Sequence, residues 1–299
     1  MPATLRLSSK LCLVALLFAI AARLAPVSAA PLIRTIYVTV TDKSGAKVPD
    51  LTAADFAVKE GGKAVEIVKV EPATGRMHLA IMIEEPLAPD ASVRQAMLDF
   101  IRRVQPSAEI SLISVGLRNT TVVGYTQSID ALVGALNQFT VSPQPTSNLM
   151  ESVLAIGKEF EKQQPDRPVI VAIVVSGGQA GGASADEVLS QLRQSGAGLY
   201  TVTLGGAQGA GSGQLGSMGD ESGREQVLGD GPKQSGGRRV EVSVTSQTSK
   251  ALQQVADDLL SQYVIKYALP SGVKPDKRVN VSLSRKGLAF RAPSGIPDR

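Results

Sequence analysis

The sequence has no tryptophan, one cysteine, one histidine and an aromatic content of only 4%. Each shortage excludes something. Cys12 is the only thiol, and it lies in an N-terminal segment that reads as removable. The remaining chain then has no disulfide, no thiolate nucleophile and no cysteine-ligated metal site open to it. A lone imidazole, His78, leaves histidine-dependent triads and most zinc sites short of candidates. It stands at the start of an apolar stretch, where a packing or edge role is the simpler reading. With few aromatic rings, the core has to rest on Val, Ile, Leu and Ala, which suits buried strands flanked by helices. Apolar residues nevertheless make up 43% of 299, enough for one large globular domain or two modest ones.

The first residues read as an export signal. Arg6 and Lys10 precede an unbroken apolar run from Leu11 to Ala22, which is short for a membrane span and is interrupted by Arg23. Val27, Ser28 and Ala29 resemble a small-residue cleavage site. We therefore expect a signal peptide over 1–29, a mature chain that is periplasmic or extracellular, and no stable membrane anchor after cleavage. An uncleaved N-terminal anchor is the competing reading. Cys12 lies near the start of the apolar run, not at its end, so a lipid anchor is not expected. Cleavage removes Arg6, Lys10, Arg23 and no acid, three charges from a formal +4, so the basic balance is largely a targeting effect. It gives no reason to expect nucleic acid.

Along the mature chain the pattern changes twice. Residues 30–75 read as strands: Ile33 to Thr41 alternates, and Ala57 to Glu60 and Ala64 to Val70 form a hairpin closed at Gly61-Gly62, after a helical turn from Thr52 to Phe56. From Met77, strands and helices take turns. His78 to Ile83 is a buried strand, and Asp90 caps a helix carrying Val93, Met97, Phe100 and Val104 on one face. Glu109 to Val115 and Thr120 to Tyr125 are close enough for an antiparallel edge pair. Two helices follow, one through Ile129 and Leu136, the next starting near Ser147. Pro168 to Val175 is the strongest buried-strand signal, and Ser184 to Glu187 is a capping box. Gly198 to Leu204 is a strand. Gly205 to Gly237 holds 12 glycines and is expected to be a flexible loop. A strand at Val240 to Val244 and a helix through Leu252 and Leu259 complete the unit. Residues 264–299 return to strands.

Such alternation calls for an α/β fold, a doubly wound, mostly parallel sheet of Rossmann-like type covered on both faces. The strand-only segments need a partner. The simplest arrangement pairs them in a small β-layer from which the α/β unit is inserted.

The element order over 76–263 resembles a von Willebrand factor A (VWFA) domain. The flanking stretches are similar to those of a bacterial VWFA-related family first described in Acidobacteria: Tyr37 to Phe56 (YVTVTDKSGAKVPDLTAADF), Val58 to Ala64 (VKEGGKA), Gln262 to Tyr267 (QYVIKY) and Lys277 to Leu283 (KRVNVSL). The resemblance covers nearly all of the mature chain. Domains of this kind usually carry a metal-ion-dependent adhesion site, with an Asp-x-Ser-x-Ser motif after the first core strand, a Thr from a later loop and an Asp at the end of the fourth strand. Mg²⁺ wants near-octahedral oxygen ligands at about 2.1 Å, which short carboxylates and hydroxyls supply.

Carried onto this chain, the motif is degenerate. Glu84 replaces the Asp, and its extra methylene displaces the carboxylate. Pro86 and Ala88 replace the two hydroxyls and donate nothing. Ser147 keeps a hydroxyl at the Thr position, and Gly177 falls at the final Asp. The expectation is a degenerate binding site at Glu84, Pro86, Ala88, Ser147 and Gly177 with no metal and no cofactor. On the plainer reading Ser147 is a helix N-cap and Glu84 and Glu85 are solvated loop acids. Gly211, Gly213 and Gly216 match G-x-G-x-x-G as a string but without the strand and helix that a dinucleotide site needs. Arg238-Arg239 and Arg285-Lys286 read as solvated charges.

Three functions remain open. The first is an exported, non-enzymatic interaction or scaffold protein with a protein partner. The second is a Mg/Mn-dependent adhesion module with unusual ligands such as Glu84, Glu85, Asp90 and Ser147. The third is a hydrolytic or nucleotide-dependent enzyme, weakened by the shortage of catalytic residue types.

Overall fold

The computed structural model describes residues 30–87, 90–139, 147–176, 182–205 and 218–297. The expected signal peptide, Ala88, Gly177 and the G-x-G-x-x-G string lie outside them.

Among the described residues, two six-stranded sheets organise the chain. The first is antiparallel and comes from both ends. From the N-terminal side it takes β1 (Leu32–Thr41), β2 (Phe56–Glu60) and β3 (Lys63–Pro72). The tight β2–β3 connection uses Gly61 and Gly62, both at positive φ, where a Cβ would be strained. The second sheet contains β4 (Met77–Glu84), β5 (Ala108–Val115), β6 (Thr120–Thr126), β7 (Pro168–Val175), β8 (Gly198–Leu204) and β9 (Arg238–Val242), in the order β6-β5-β4-β7-β8-β9. All its pairings are parallel except β5 with β6. The chain then returns through β10 (Gln262–Leu269), β11 (Val279–Leu283) and β12 (Ala289–Arg291), giving the first sheet the order β11-β2-β3-β10-β1-β12. The chain thus leaves the antiparallel sheet at the end of β3 and re-enters it at β10, where Tyr263 pairs with Pro72. The α/β unit hangs from these two neighbouring strands.

The helices are α1 (Ala91–Val104), α2 (Ile129–Leu136), α3 (Leu149–Gln163), α4 (Ala185–Ser195), α5 (Met218–Ser235) and α6 (Thr248–Leu260). Side chains of β4 alternate between two cores because successive strand residues face opposite ways. Met77, Leu79, Ile81 and Ile83 meet α1, α2 and α6, whereas Ala80 and Met82 meet α3, α4 and α5. A strand sandwiched this way has no polar face, which explains the continuous apolar runs at β4 and β7. Capping follows the sequence signals. The Asp90 carboxylate accepts from the N–H groups of Ser92 (2.8 Å) and Val93 (3.0 Å), and Ser184 Oγ accepts from Glu187 N–H (3.2 Å).

The expected loop over Gly205 to Gly237 is corrected in its second half, because Met218 to Ser235 is helical. Glycines conceal it. Gly231 packs so closely that a Cβ would lie 2.8 Å from Leu199 Cδ2, so an apolar contact is made by a residue without an apolar side chain. Among its described side chains, only Val227 and Leu228 mark the buried face in the usual way. The strand expected at Val240 to Val244 lies two residues earlier.

A buried polar joint fastens the two sheets together. Arg167, in the loop before β7, donates to Gln262 Oε1 (3.0 and 2.7 Å) and to the carbonyls of Ala73, Gly75 and Leu259. Asp258 of α6 is almost fully buried and pairs with Arg238 of β9 (2.5 Å) and Arg291 of β12. Arg238 is therefore part of the joint, which corrects its reading as a solvated charge.

Candidate functional site

In a doubly wound sheet the crevice for ligands opens at the carboxyl ends of the strands, where successive connections run in opposite directions. Here that switch point is β4, flanked by β5 and β7. The last residue of β4 is Glu84, and its accessibility is 0%. This corrects its reading as a solvated loop acid. A strand that keeps its final side chain inside the sheet's edge buries whatever residue stands there, and a buried carboxylate requires donors.

Three groups supply them. Arg224 of α5, 1% exposed at its side chain, forms a bidentate pair with Glu84: Nη1 to Oε1 at 2.8 Å and Nη2 to Oε2 at 3.0 Å. Ser147 Oγ donates to Oε1. The backbone N–H of Val175, at the end of β7, donates to Oε2 at 2.6 Å. Arg224 Nη2 also donates to the carbonyl of Val175 at 2.9 Å, so the guanidinium clamps the ends of both central strands. Ser147 is not the N-cap of α3. Asn148 occupies that position without a side-chain cap, and the Ser147 hydroxyl points to Glu84 instead.

The neighbouring positions differ. Glu85 begins a short 3-10 turn through Pro86 to Leu87, and Pro86 is exposed. The Glu85 carboxylate lies over Gly116, where a Cβ would fall 2.2 Å from its Cδ, so a larger residue there would displace the Glu85 side chain. Ser114 Oγ donates to Glu85 Oε1 at 3.5 Å. Asp90 is committed to capping α1. The structure therefore brings together Glu84 and Ser147 of the sequence-derived set. It keeps Pro86 at the rim and leaves Ala88 and Gly177 outside the described residues.

These donors do not fit a metal ion. Both Glu84 oxygens are taken by a resident cation and two hydrogen-bond donors, and Pro86 offers no side-chain ligand. Among the described residues, no group of three or more His, Cys, Asp or Glu side chains is arranged to hold one. Arg224 is the residue that sequence reasoning missed. Its one available signal was indirect: a carboxylate closing a wholly apolar strand must find a cation. Nothing in the sequence says which of the many basic residues it is.

His78, at the other end of β4, stacks on Tyr125 (centroids 3.6 Å apart) and meets Phe160 edge-on at 5.6 Å. Burial lowers its pKa below the usual histidine value, against the raising pull of Glu109.

Comparison with known proteins places this geometry in context. No curated protein matches the sequence. Among solved structures, the protein BatB from Bacteroides thetaiotaomicron is 13% identical with a TM-score of 0.45, covering 62% of this chain and 99% of its own. An aerotolerance-related membrane protein from Bacteroides fragilis is 13% identical with a TM-score of 0.41, covering 61% and 99%. Proximal thread matrix protein 1 from the mussel byssus is 17% identical with a TM-score of 0.41, covering 66% of this chain and 48% of its own. Residues 87–229, from the turn after Glu84 to the helix that carries Arg224, match the family model of the von Willebrand factor type A domain, and the α/β unit has a von Willebrand factor A-like fold.

Proposed function

We propose that this chain is an exported, non-enzymatic interaction or scaffold protein whose carboxyl-edge site works without a metal ion. The observation that carries this reading is the Glu84–Arg224 pair. A guanidinium built into α5 supplies the positive charge at the switch point that a bound cation would otherwise supply. Such a charge is always present, needs no divalent ion and, being buried, presents no open coordination position to a partner's acid. Partner contact then falls to the rim. Leu117, in the β5–β6 connection, is half-exposed there and is held in place by Asn148, whose Nδ2 donates to its carbonyl at 2.6 Å. The resemblance to VWFA-related proteins favours a protein partner, and the N-terminal signal favours a periplasmic or extracellular setting. The departure from the metal-binding motif extends to Pro86, Ala88 and Gly177 as well as Glu84.

Thermal unfolding in EDTA and then in millimolar Mg²⁺ or Mn²⁺ tests the proposal. A cation bound only by the folded state at a hundred times its Kd would add about 2.7 kcal/mol. We expect no change in Tm. A metal-dependent rise lost in Glu84→Gln would overturn the reading in favour of a metal-dependent adhesion module.

A further inference from the structure

A second feature lies at the opposite, amino edge of the parallel sheet, away from Glu84. There a cavity of 170 Å³ sits between the α/β unit and the antiparallel sheet. Ile36, Val169, Leu189, Leu192 and Ile296 contribute its apolar wall. An apolar cavity of about 150 Å³ admits a single benzene-sized ring. The C-terminal segment closes one side. Ser294 and Gly295 donate their N–H groups to the carbonyl of Gln234 at the end of α5 (2.9 and 3.3 Å), and Pro297 lies against Gly196 at the end of α4.

Among the described residues, four titratable side chains border the cavity: Tyr37, Asp166, Arg167 and Arg193. Arg167 is buried, and its hydrogen bonds run to neutral acceptors, the Gln262 amide oxygen and three backbone carbonyls. Tyr37 covers its guanidinium, with the ring centroid 5.6 Å away. Arg193 is half-buried and donates to Ser190 Oγ at 2.9 Å, again a neutral partner. Among the described residues neither arginine is in ion-pair contact with a carboxylate. Asp166 is exposed at the mouth, where water screens it. The C-termini of α4 and α5 bring partial negative charge, but Gly196, Ser195 and the C-terminal segment already donate to their final carbonyls. Among the described residues, two full positive charges therefore outweigh the fractional and screened negative ones. A buried cation without a counter-ion is a standing electrostatic cost that an incoming anion relieves.

We infer that this cavity binds a small monocarboxylate with an apolar body about the size of one ring, its carboxylate at Arg193 within the field of Arg167. The role of Arg167 is to set the charge, because its donors are occupied. Arg193 makes the contact.

Titration of the full chain with benzoate, benzyl alcohol and benzylamine, followed by NMR of the Ile36 and Val169 methyl groups and by calorimetry, tests this. Benzoate should bind saturably and about tenfold more tightly than benzyl alcohol, with benzylamine weaker still. Arg193→Gln, on a half-exposed side chain, should lower benzoate affinity about tenfold and leave benzyl alcohol unchanged. Leu189→Phe should fill the cavity and weaken both. If that variant fails to fold, the Arg193→Gln comparison decides alone. No saturable benzoate binding up to about 10 mM would overturn the inference, as would equal affinity for benzoate and benzyl alcohol, or an Arg193→Gln variant that binds benzoate normally.

Discussion

At the scale of single residues, Glu84 and Arg224 depend on one another. Arg224→Ala would leave a carboxylate of zero accessibility without its cation, and breaking a buried pair from one side costs about 3–5 kcal/mol. Urea denaturation should show that loss as a lower midpoint. Joint replacement, Glu84→Leu with Arg224→Met, removes both charges and should recover most of it, because the desolvation of each ion is then avoided as well. His78 makes a pH-dependent contribution of predictable sign. Its folded pKa is depressed, so the unfolded chain takes up a proton first as pH falls through about 6.5. The associated stability is fully present above that pH and declines as pH drops toward the lower folded value. Denaturation series between about pH 7.5 and 5 should show this slope, and His78→Asn should flatten it.

At the scale of elements, α5 is the unusual one. Its sequence contains Gly219, Gly223, Gly229, Gly231 and Pro232, a composition that opposes helix formation in isolation. Packing against α4 and β8, together with the Arg224 anchor, holds it in place. The glycines are not equivalent. A Cβ on Gly229 would meet only Arg239 Nη1 at 3.8 Å, whereas one on Gly231 would lie 2.8 Å from Leu199 and 3.4 Å from Leu192. Gly229→Ala should therefore stabilise the protein by about 0.4–1 kcal/mol, by restricting the unfolded chain. Gly231→Val should destabilise it by about 1–3 kcal/mol through overpacking. Tm measurements on the two variants, with shifts of opposite sign, would check the distinction.

At the scale of the whole molecule, the antiparallel sheet and the α/β unit share buried polar fastenings. Asp258 ties α6 to β9 and β12, while Arg167 ties the loop before β7 to β10 and to the carbonyls of Ala73 and Gly75. We expect the two halves to unfold together. Asp258→Ala should leave Arg238 and Arg291 without their shared acid and lower stability by about 3–5 kcal/mol, still in one transition. Far-ultraviolet circular dichroism and tyrosine fluorescence should report the same midpoint, and two separated midpoints would contradict the coupling. No helix among the described residues is long and apolar enough to cross a membrane.

What the sequence determined by itself was whatever repeats with a structural period. The apolar runs at β4 and β7 announced strands buried on both faces, and the 3.6-residue stripe of α1 with its Asp90 cap announced a helix. Together they made the mostly parallel α/β fold legible. The candidate site was legible only as positions. Glu84 and Ser147 were named, but one was expected in solvent and the other at a helix cap. Only the tertiary structure decided that Glu84 is buried, that Ser147 turns toward it, and that Arg224, 140 residues away, completes the pair. The physical reason is the same for α5 and for Arg224. Periodicity records how a segment meets a core through its own apolar side chains. Helix α5 meets its neighbours partly through glycines and one buried guanidinium, and such contacts leave no period behind.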